Sequence, residues 1–323
     1  MSGISTATNE HLIRSDIWTR QLKELFEADL YANKYVNWLS EFPDGETIHI
    51  PSLGQMQVQD YEEGQAIKYT GLATGDFTFS ITEYKSAGTF ITDKMKQDSY
   101  YTAPLVASFV PKMERALATV MEADILSIGP AGQAQGNSDN VINGAAHRLV
   151  ASGTGGLLTP NDFALAKYAL RKAHVPLTNL VAIVDPSVEL YLSTLTNLVN
   201  LNNNPHWEGI VRTGITSGMR FITNIFGFDV YTSDFLPSGY TGTLSSGSLT
   251  SDMVANQFFS VAGGDSQPFI GAVRQAPRVE SKRNIDLQRD EYVLTTRYGF
   301  GFYRPENFVA IYSDVDAAVA AVS

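Results

Sequence analysis

The sequence predicts an α+β fold, and three observations carry that prediction. Residues 45–88 alternate apolar and polar side chains as a half-buried hairpin does, residues 100–128 keep their apolar side chains on one broad helical face, and residues 292–302 alternate again without a break. With 323 residues the chain can build two modest domains or one elaborate one.

Taken in order, residues 1–44 open polar and then turn helical. Ser15 can cap a helix that carries Ile17, Trp18, Leu22, Leu25 and Phe26 on one face. Tyr35-Val36 and Trp38-Leu39 add a second apolar cluster before the turn signal Pro43-Asp44-Gly45. Ile48 and Ile50, then Phe77, Phe79 and Ile81, flank the polar stretch Tyr61-Glu62-Glu63-Gly64-Gln65. The pattern predicts a long, nearly self-contained β-hairpin with a mobile tip. A lone two-stranded hairpin is marginal in water, so its apolar side chains need cover, and a neighbouring subunit is the expected source.

Pro104 fits the first turn of the next element, a helix along Leu105, Phe109, Met113, Leu117, Val120 and Met121. Pro111 removes the hydrogen bond to the Ala107 carbonyl and should kink or restart the helix, and Gly129-Pro130 should stop it. Seven of the 26 glycines fall in 129–156, which reads as a linker or loop. An α/β stretch follows. Thr159-Pro160-Asn161-Asp162 is a helix start, Leu180–Val184 a buried strand, Asp185-Pro186 a second helix start, and Arg220–Tyr231 a strand, a turn at Gly227 and a strand. The Ser/Gly/Thr-rich stretch 237–251 reads as a loop. Tyr292, Leu294, Thr296, Tyr298, Phe300 and Phe302 form a long half-buried strand, with Gly299 and Gly301 on its other face inviting close approach of another backbone. Phe308–Ile311 is a further strand.

Composition limits the chemistry. Hydrophobic residues make up 44% and aromatics 11%, ample for a core, while charged residues are only 18%. A surface of Ser, Thr, Asn, Gln and Gly suits broad, closely packed protein contacts. The net charge is −11 and the densest basic run is Lys282-Arg283, which disfavours a coat that grips nucleic acid through basic arms. The absence of cysteine excludes disulfides, thiolate nucleophiles and Cys-bound zinc. Met1–Glu10 shows no signal pattern and no apolar run reaches membrane-span length, so a soluble protein made in the cytosol is expected. His11, His49, His147, His174 and His206 stand at no metal-ligand spacing, and no hydrolase elbow, Walker loop or dinucleotide fingerprint is present. Gly153-Thr154-Gly155-Gly156 lacks the following Lys-Ser/Thr. Glu62-Glu63 and Asp314/Asp316 are carboxylate pairs expected to be solvated. No enzyme, cofactor or metal site is expected.

The order of these strings resembles the tailed-phage major capsid proteins of the Hong Kong 97 type. Phe42-Pro43-Asp44-Gly45-Glu46-Thr47-Ile48-His49-Ile50-Pro51 looks like the opening of that family's extended loop, and Asp60-Tyr61-Glu62-Glu63-Gly64 and Phe77–Thr82 look like its outer turn and returning strand. The 100–128 helix looks like the spine helix. Leu180–Ser187, Ile225–Tyr231 with Leu236-Pro237, and Tyr298–Glu306 look like the axial strand-to-helix passage, the Gly-centred turn and the closing strand. The resemblance covers nearly the whole chain. It implies an N-terminal arm (1–44), an extended β-loop (45–88), a peripheral domain with a long spine helix (89–156 and 267–323) and an axial domain (157–266). It further implies self-assembly as hexamers and pentamers into an icosahedral virion capsid around double-stranded DNA. The DNA is enclosed without sequence-specific binding and no membrane takes part. Assembly is expected in the host cytoplasm with a scaffolding protein and portal, and a cement protein is compatible.

The inter-subunit residues it implies are Trp18, Leu22 and Phe26 of the arm and Tyr61, Glu62, Glu63 and Lys68 of the loop, with Pro111 as a helix kink that changes curvature when the shell expands. Some relatives cross-link a loop lysine to a neighbour's asparagine. Lys68 and Asn284 are conceivable partners, and a plain surface lysine is the preferred reading. Rival readings are an encapsulin-like nanocompartment shell, a soluble α/β hydrolase, and another virion part.

Overall fold

The computed structural model describes residues 30, 32–39, 47–54, 60, 63, 64, 66, 71, 74–98, 102–134, 139–195, 221–263 and 266–322. The arm helix expected around Trp18, Leu22 and Phe26 lies outside them, as do Tyr61, Glu62 and Lys68. A 3-10 turn (Ala32–Tyr35) leads into β1 (Val36–Leu39). β2 (Thr47–Leu53) and β3 (Thr74–Ser80) pair antiparallel from Thr47↔Ser80 to Leu53↔Thr74, the hairpin that the alternation predicts. β4 (Glu83–Thr92), the short α1 (Asp93–Asp98) and the long α2 (Thr102–Gln133) follow. β5 (Val141–Ile142), β6 (Ala145–Ala146) and β7 (Arg148–Val150) occupy the stretch read as linker.

α3 (Pro160–Lys172) begins as expected: Asp162 accepts the Thr159 N–H at 2.7 Å. β8 (Leu180–Val184) is buried throughout, and α4 (Pro186–Thr194) starts where Asp185 accepts the Ser187 N–H. β9 (Phe221–Ile225) turns through Gly227, at φ +93°, into β10 (Phe228–Thr232). The 237–251 stretch holds a small hairpin of β11 (Gly242–Leu244) and β12 (Gly247–Leu249), because Leu244 and Leu249 are buried apolar anchors in an otherwise polar run. β13 (Met253–Ser260), β14 (Phe269–Asn284), β15 (Arg289–Phe302), β16 (Phe308–Asp314) and α5 (Val315–Ala320) complete the order.

The strands form two principal sheets. One has the order β1-β14-β15-β4; the other runs β7-β16-β13-β8-β10-β9. The six-stranded sheet is covered on both faces. Phe163, Ala166 and Leu170 of α3 and Val188 and Leu192 of α4 pack on Ala182, Phe228, Phe258 and Val309. On the opposite face lie Ile125 and Leu126 of α2 with the β11–β12 leucines. The N-terminal part of α2 instead covers one face of the four-stranded sheet, where Met113 and Leu117 meet Leu294 and Tyr298. One helix thus spans both sheets.

Three expectations are corrected. First, α2 passes through Gly129-Pro130 to Gln133. The glycines are contact points: a Cβ on Gly129 would lie 2.7 Å from Phe308 Cε2, and one on Gly132 2.7 Å from Phe302 Cδ1. Second, of the two outcomes expected at Pro111, a kink or a restart, the restart does not occur: the proline stays inside the helix. Third, the hairpin is not without cover in its own chain. Phe79 and Ile81 are buried with Ile270 and Ala272, and Ile50, Phe77, Leu39 and Tyr303 pack around them. Gly299 and Gly301 make this seat possible, since a Cβ on Gly299 would stand 2.9 Å from Ile81 Cα and 3.0 Å from the Ser80 carbonyl oxygen. β7 and β16 complete the six-stranded sheet with the strands of 157–266.

The end of the arm is tied to α2 by a charge. Glu122, 1% exposed, accepts the Ala32 N–H with both carboxylate oxygens, at 2.8 and 2.9 Å. Hydrogen bonds to charged groups contribute about 1.5–3 kcal/mol. Glu122→Ala is expected to lose about that much of the unfolding free energy in urea and to expose the Ala32 amide to hydrogen exchange, and native-like protection there would refute the tie.

Candidate functional site: an assembly surface

The four-stranded sheet has one face packed by α2; the other is covered by the base of the β2–β3 hairpin at Gly299 and Gly301 and is bare toward β4. Ala87, Leu294 and Tyr298 face α2, and the Tyr298 hydroxyl donates to Asp124 Oδ2 at 2.7 Å. On the other face Tyr84 is 61% exposed, Phe90 53% and Val293 38%. Gly88, between the two aromatics on β4, pairs with Val293, so the face is smooth at its centre. Arg289 stacks over the Phe90 ring at 4.6 Å. At the far end the β14–β15 turn projects Ile285 and Leu287, at 71% and 55% exposure. Apolar side chains left open together in this way suit a protein contact.

The turn is tied to α1 by charge. Arg283 donates to both carboxylate oxygens of Asp93, at 2.6 and 3.0 Å, and to Asp290 at 3.3 Å; Lys96 pairs with Asp290 and lies 3.6 Å from Asp93. The Asp93 N–H also donates to the Gln288 carbonyl at 2.9 Å. Hydrogen bonding to Arg283 and Lys96 respectively holds Asp93 and Asp290 below the ordinary carboxylate value. Groups with depressed native pKa stabilise the fold above their unfolded value and lose that contribution as pH falls through the native one. Protection of the Asp93 amide, referred to its intrinsic exchange rate at each pH, is therefore expected to hold at neutral pH and fall below the ordinary 3.8. In Arg283→Ala, where Lys96 alone still faces the two carboxylates, this acid step should shrink; an unchanged step would point to another group.

Of the loop residues named from the sequence, Glu63 is described: it stands exposed in a turn with Gly64, whose φ of +88° suits glycine. Asn284, the conceivable cross-link partner, is occupied. Its amide donates to Glu291 Oε1 at 3.1 Å and its oxygen accepts the Leu287 N–H at 3.2 Å. Glu291 is itself bound by Arg289 at 2.7 Å and held below the ordinary carboxylate range. Tyr84, Phe90 and Val293 were not singled out in the sequence; the period-two exposure of β4 was the available signal.

Two clefts, of 290 and 590 Å³, meet at His174. The first is lined in part by Arg304, which is paired to Glu306, and by Asn307; the second by Tyr168, Arg171 and Lys172. Burial pushes the His147 imidazole below its ordinary value, but the residue is 0% exposed and its Nδ1 lies 3.1 Å from the Ala145 carbonyl, enclosed between strands rather than lining a cleft. The shifted carboxylates, Asp93, Asp139, Asp290 and Glu291, all move down, the wrong direction for a general acid. Among the described residues no group of His, Asp and Glu could hold a metal ion and no helix is long and apolar enough to cross a membrane.

Residues 76–312 match the family model described as phage capsid protein. No curated protein sequence matches the chain. Solved structures match over nearly its full length. The capsid of Cyanophage P-SCSP1u has 15% identity over 96% of this chain and 95% of that one, with a TM-score of 0.72. A chain from Mycobacterium phage Che8 has 18% identity over 93% and 97%, with a TM-score of 0.68. The capsid of Cyanophage Pam1 has 12% identity over 97% and 98%, also at 0.68. At such identities the likeness establishes the fold, the Hong Kong 97 type.

Fold and surface together define a structural, shell-building subunit. The chain belongs to the phage capsid protein family and is a structural major capsid protein. The nanocompartment and hydrolase readings are not favoured.

Proposed function

We propose that this protein assembles as hexamers and pentamers into an icosahedral shell that encloses double-stranded DNA and catalyses nothing. Assembly takes place in the host cytoplasm, with a scaffolding protein and portal as partners and a cement protein as a compatible addition. The observation that carries this reading is the bare apolar part of the four-stranded sheet toward β4, Tyr84, Phe90 and Val293, opposite a face already filled by α2. Rings are built from heterologous contacts, so a second copy can lie on that face while its own is covered by a third. The arm residues Trp18, Leu22 and Phe26 and the loop residues Tyr61, Glu62, Glu63 and Lys68 are the remaining proposed contacts, and Pro111 the point where the spine helix changes curvature. The net charge of −11 suits a wall on which packed DNA slides. The subunit divides into the arm, the extended loop, a peripheral unit built on the four-stranded sheet, and an axial unit built on the six-stranded one, including β7 and β16.

Electron microscopy of the purified chain tests this. Closed shells are expected, with monomer-sized bands on denaturing electrophoresis because Lys68 stays unlinked. Phe90→Glu, which places a charge on the bare face, should leave a folded subunit that forms no shells. Normal shells from that variant would show that this face is not the contact.

A further inference from the structure

Two prolines lie inside α2, and the molecule treats them differently. Pro111 is exposed. Pro130 is buried, and the helix continues past it through the Ala134 N–H to the Pro130 carbonyl at 2.9 Å. A proline in a helix interior has no N–H to give the carbonyl four residues back, and its ring pushes that carbonyl outward. For Pro130 this acceptor is Leu126, whose residue is 0% exposed. A buried carbonyl that loses its donor is costly unless another group supplies one. Gln257 of β13 does so: its Nε2 donates to the Leu126 carbonyl at 2.6 Å. Gln257 is itself fully buried, in the strand flanked by β16 and β8. Further along the helix Gln133 repeats the arrangement, its Nε2 donating to the Phe308 carbonyl of β16 at 2.9 Å. Between them Gly129 brings the helix backbone onto the Phe308 ring.

We propose that Pro130 and Gln257 act as a matched pair: the proline frees a helix carbonyl so that the glutamine can fix α2 to the central strand of the six-stranded sheet. The C-terminal part of α2 and that sheet then move as one body. Because the same helix carries the four-stranded sheet on its N-terminal part, any change in subunit shape between free and assembled states is confined to the far side of Glu122, toward Pro111. Gln133 and Gly129 serve the same attachment, both meeting Phe308 of β16.

A double-mutant cycle on the full chain tests the pairing. Gln257→Met keeps the length of the side chain and removes the donor. It should lower the thermal midpoint of the unassembled subunit by about 2–6 °C. In a Pro130→Ala background the main-chain N–H restored at position 130 can reach the Leu126 carbonyl, and the same substitution should lose less than half as much. Equal losses in the two backgrounds, or no loss in the native one, would overturn the pairing. Hydrogen exchange on the native chain tests the rigid-body claim without any variant. Amides 125–129 and 255–259 should keep the same protection in free subunits and in shells. Assembly-dependent change at 125–129 as large as that at 104–112 would overturn it.

Discussion

Phe258→Ala is expected to lower the unfolding free energy of the unassembled subunit by about 3–5 kcal/mol. Phe258 lies at 0% exposure on the central strand of the six-stranded sheet. Its ring meets those of Phe163 and Phe228 edge-on, at 5.1 and 5.5 Å between centroids, and those two meet each other at 6.3 Å. Removing one ring opens a cavity and takes an edge-to-face partner from each of the others. Collapse into the cavity is hindered because the three rings come from α3, β10 and β13, and β13 is hydrogen-bonded on both sides. Urea titration of the free subunit should show the loss as a lower midpoint at an unchanged slope. A loss below about 1 kcal/mol would mean that the site repacks and that this cluster does not hold the six-stranded sheet together.

That same strand shows where the sequence stopped being legible. β15, β3 and β8 could be read because their burial follows a simple rule: alternation where one face is wet, a continuous apolar run where both are dry. The helix starts at Thr159 and Asp185 are local chemistry and were equally plain. β13 is buried on both faces yet carries Asn256 and Gln257 at its centre. The polarity of Asn256 is absorbed by partners distant in sequence: it accepts the Asp185 N–H at 3.0 Å and donates to the Ile311 carbonyl at 3.0 Å and to Ser313 Oγ at 2.7 Å, while Gln257 donates to the Leu126 carbonyl at 2.6 Å. No local pattern encodes such satisfaction. β14 was hidden by Pro277 and by charge in its outer half. The proline falls within the irregular register between Gln275 and Arg278, where the ladder can omit a donor. Gly129-Pro130 was misread for a related reason. The dipeptide is a stop signal unless a sheet presses on the glycine and a side chain replaces the missing N–H, and both conditions are tertiary. On the proposed contact surface, the loop and the arm follow from resemblance, whereas the bare face of β4 and β15 emerges only once α2 is seen to occupy the opposite side.

Gly299→Val should have the largest effect on assembly for the smallest change in the subunit. Any Cβ at this position meets main chain, Ile81 Cα at 2.9 Å and the Ser80 carbonyl oxygen at 3.0 Å, so no side-chain rotation relieves it. The base of the β2–β3 hairpin must then lift from β15 and withdraw Phe79 and Ile81 from Ile270 and Ala272. Overpacking of this kind costs about 1–3 kcal/mol. The six-stranded sheet has no share in the contact, so the variant is expected to remain folded with a modest fall in the denaturation midpoint. Its hairpin, however, leaves the chain at an altered angle, and a displacement at the base is magnified along an extended arm that must reach a neighbour. Shell yield by sedimentation should collapse while the soluble subunit persists, and Gly299→Ala, with the same Cβ and less bulk, should show a weaker form of the same defect. If Gly299→Val assembles normally, the seat of the hairpin on its own chain does not set its reach, and the loop must be positioned by the neighbouring copy instead.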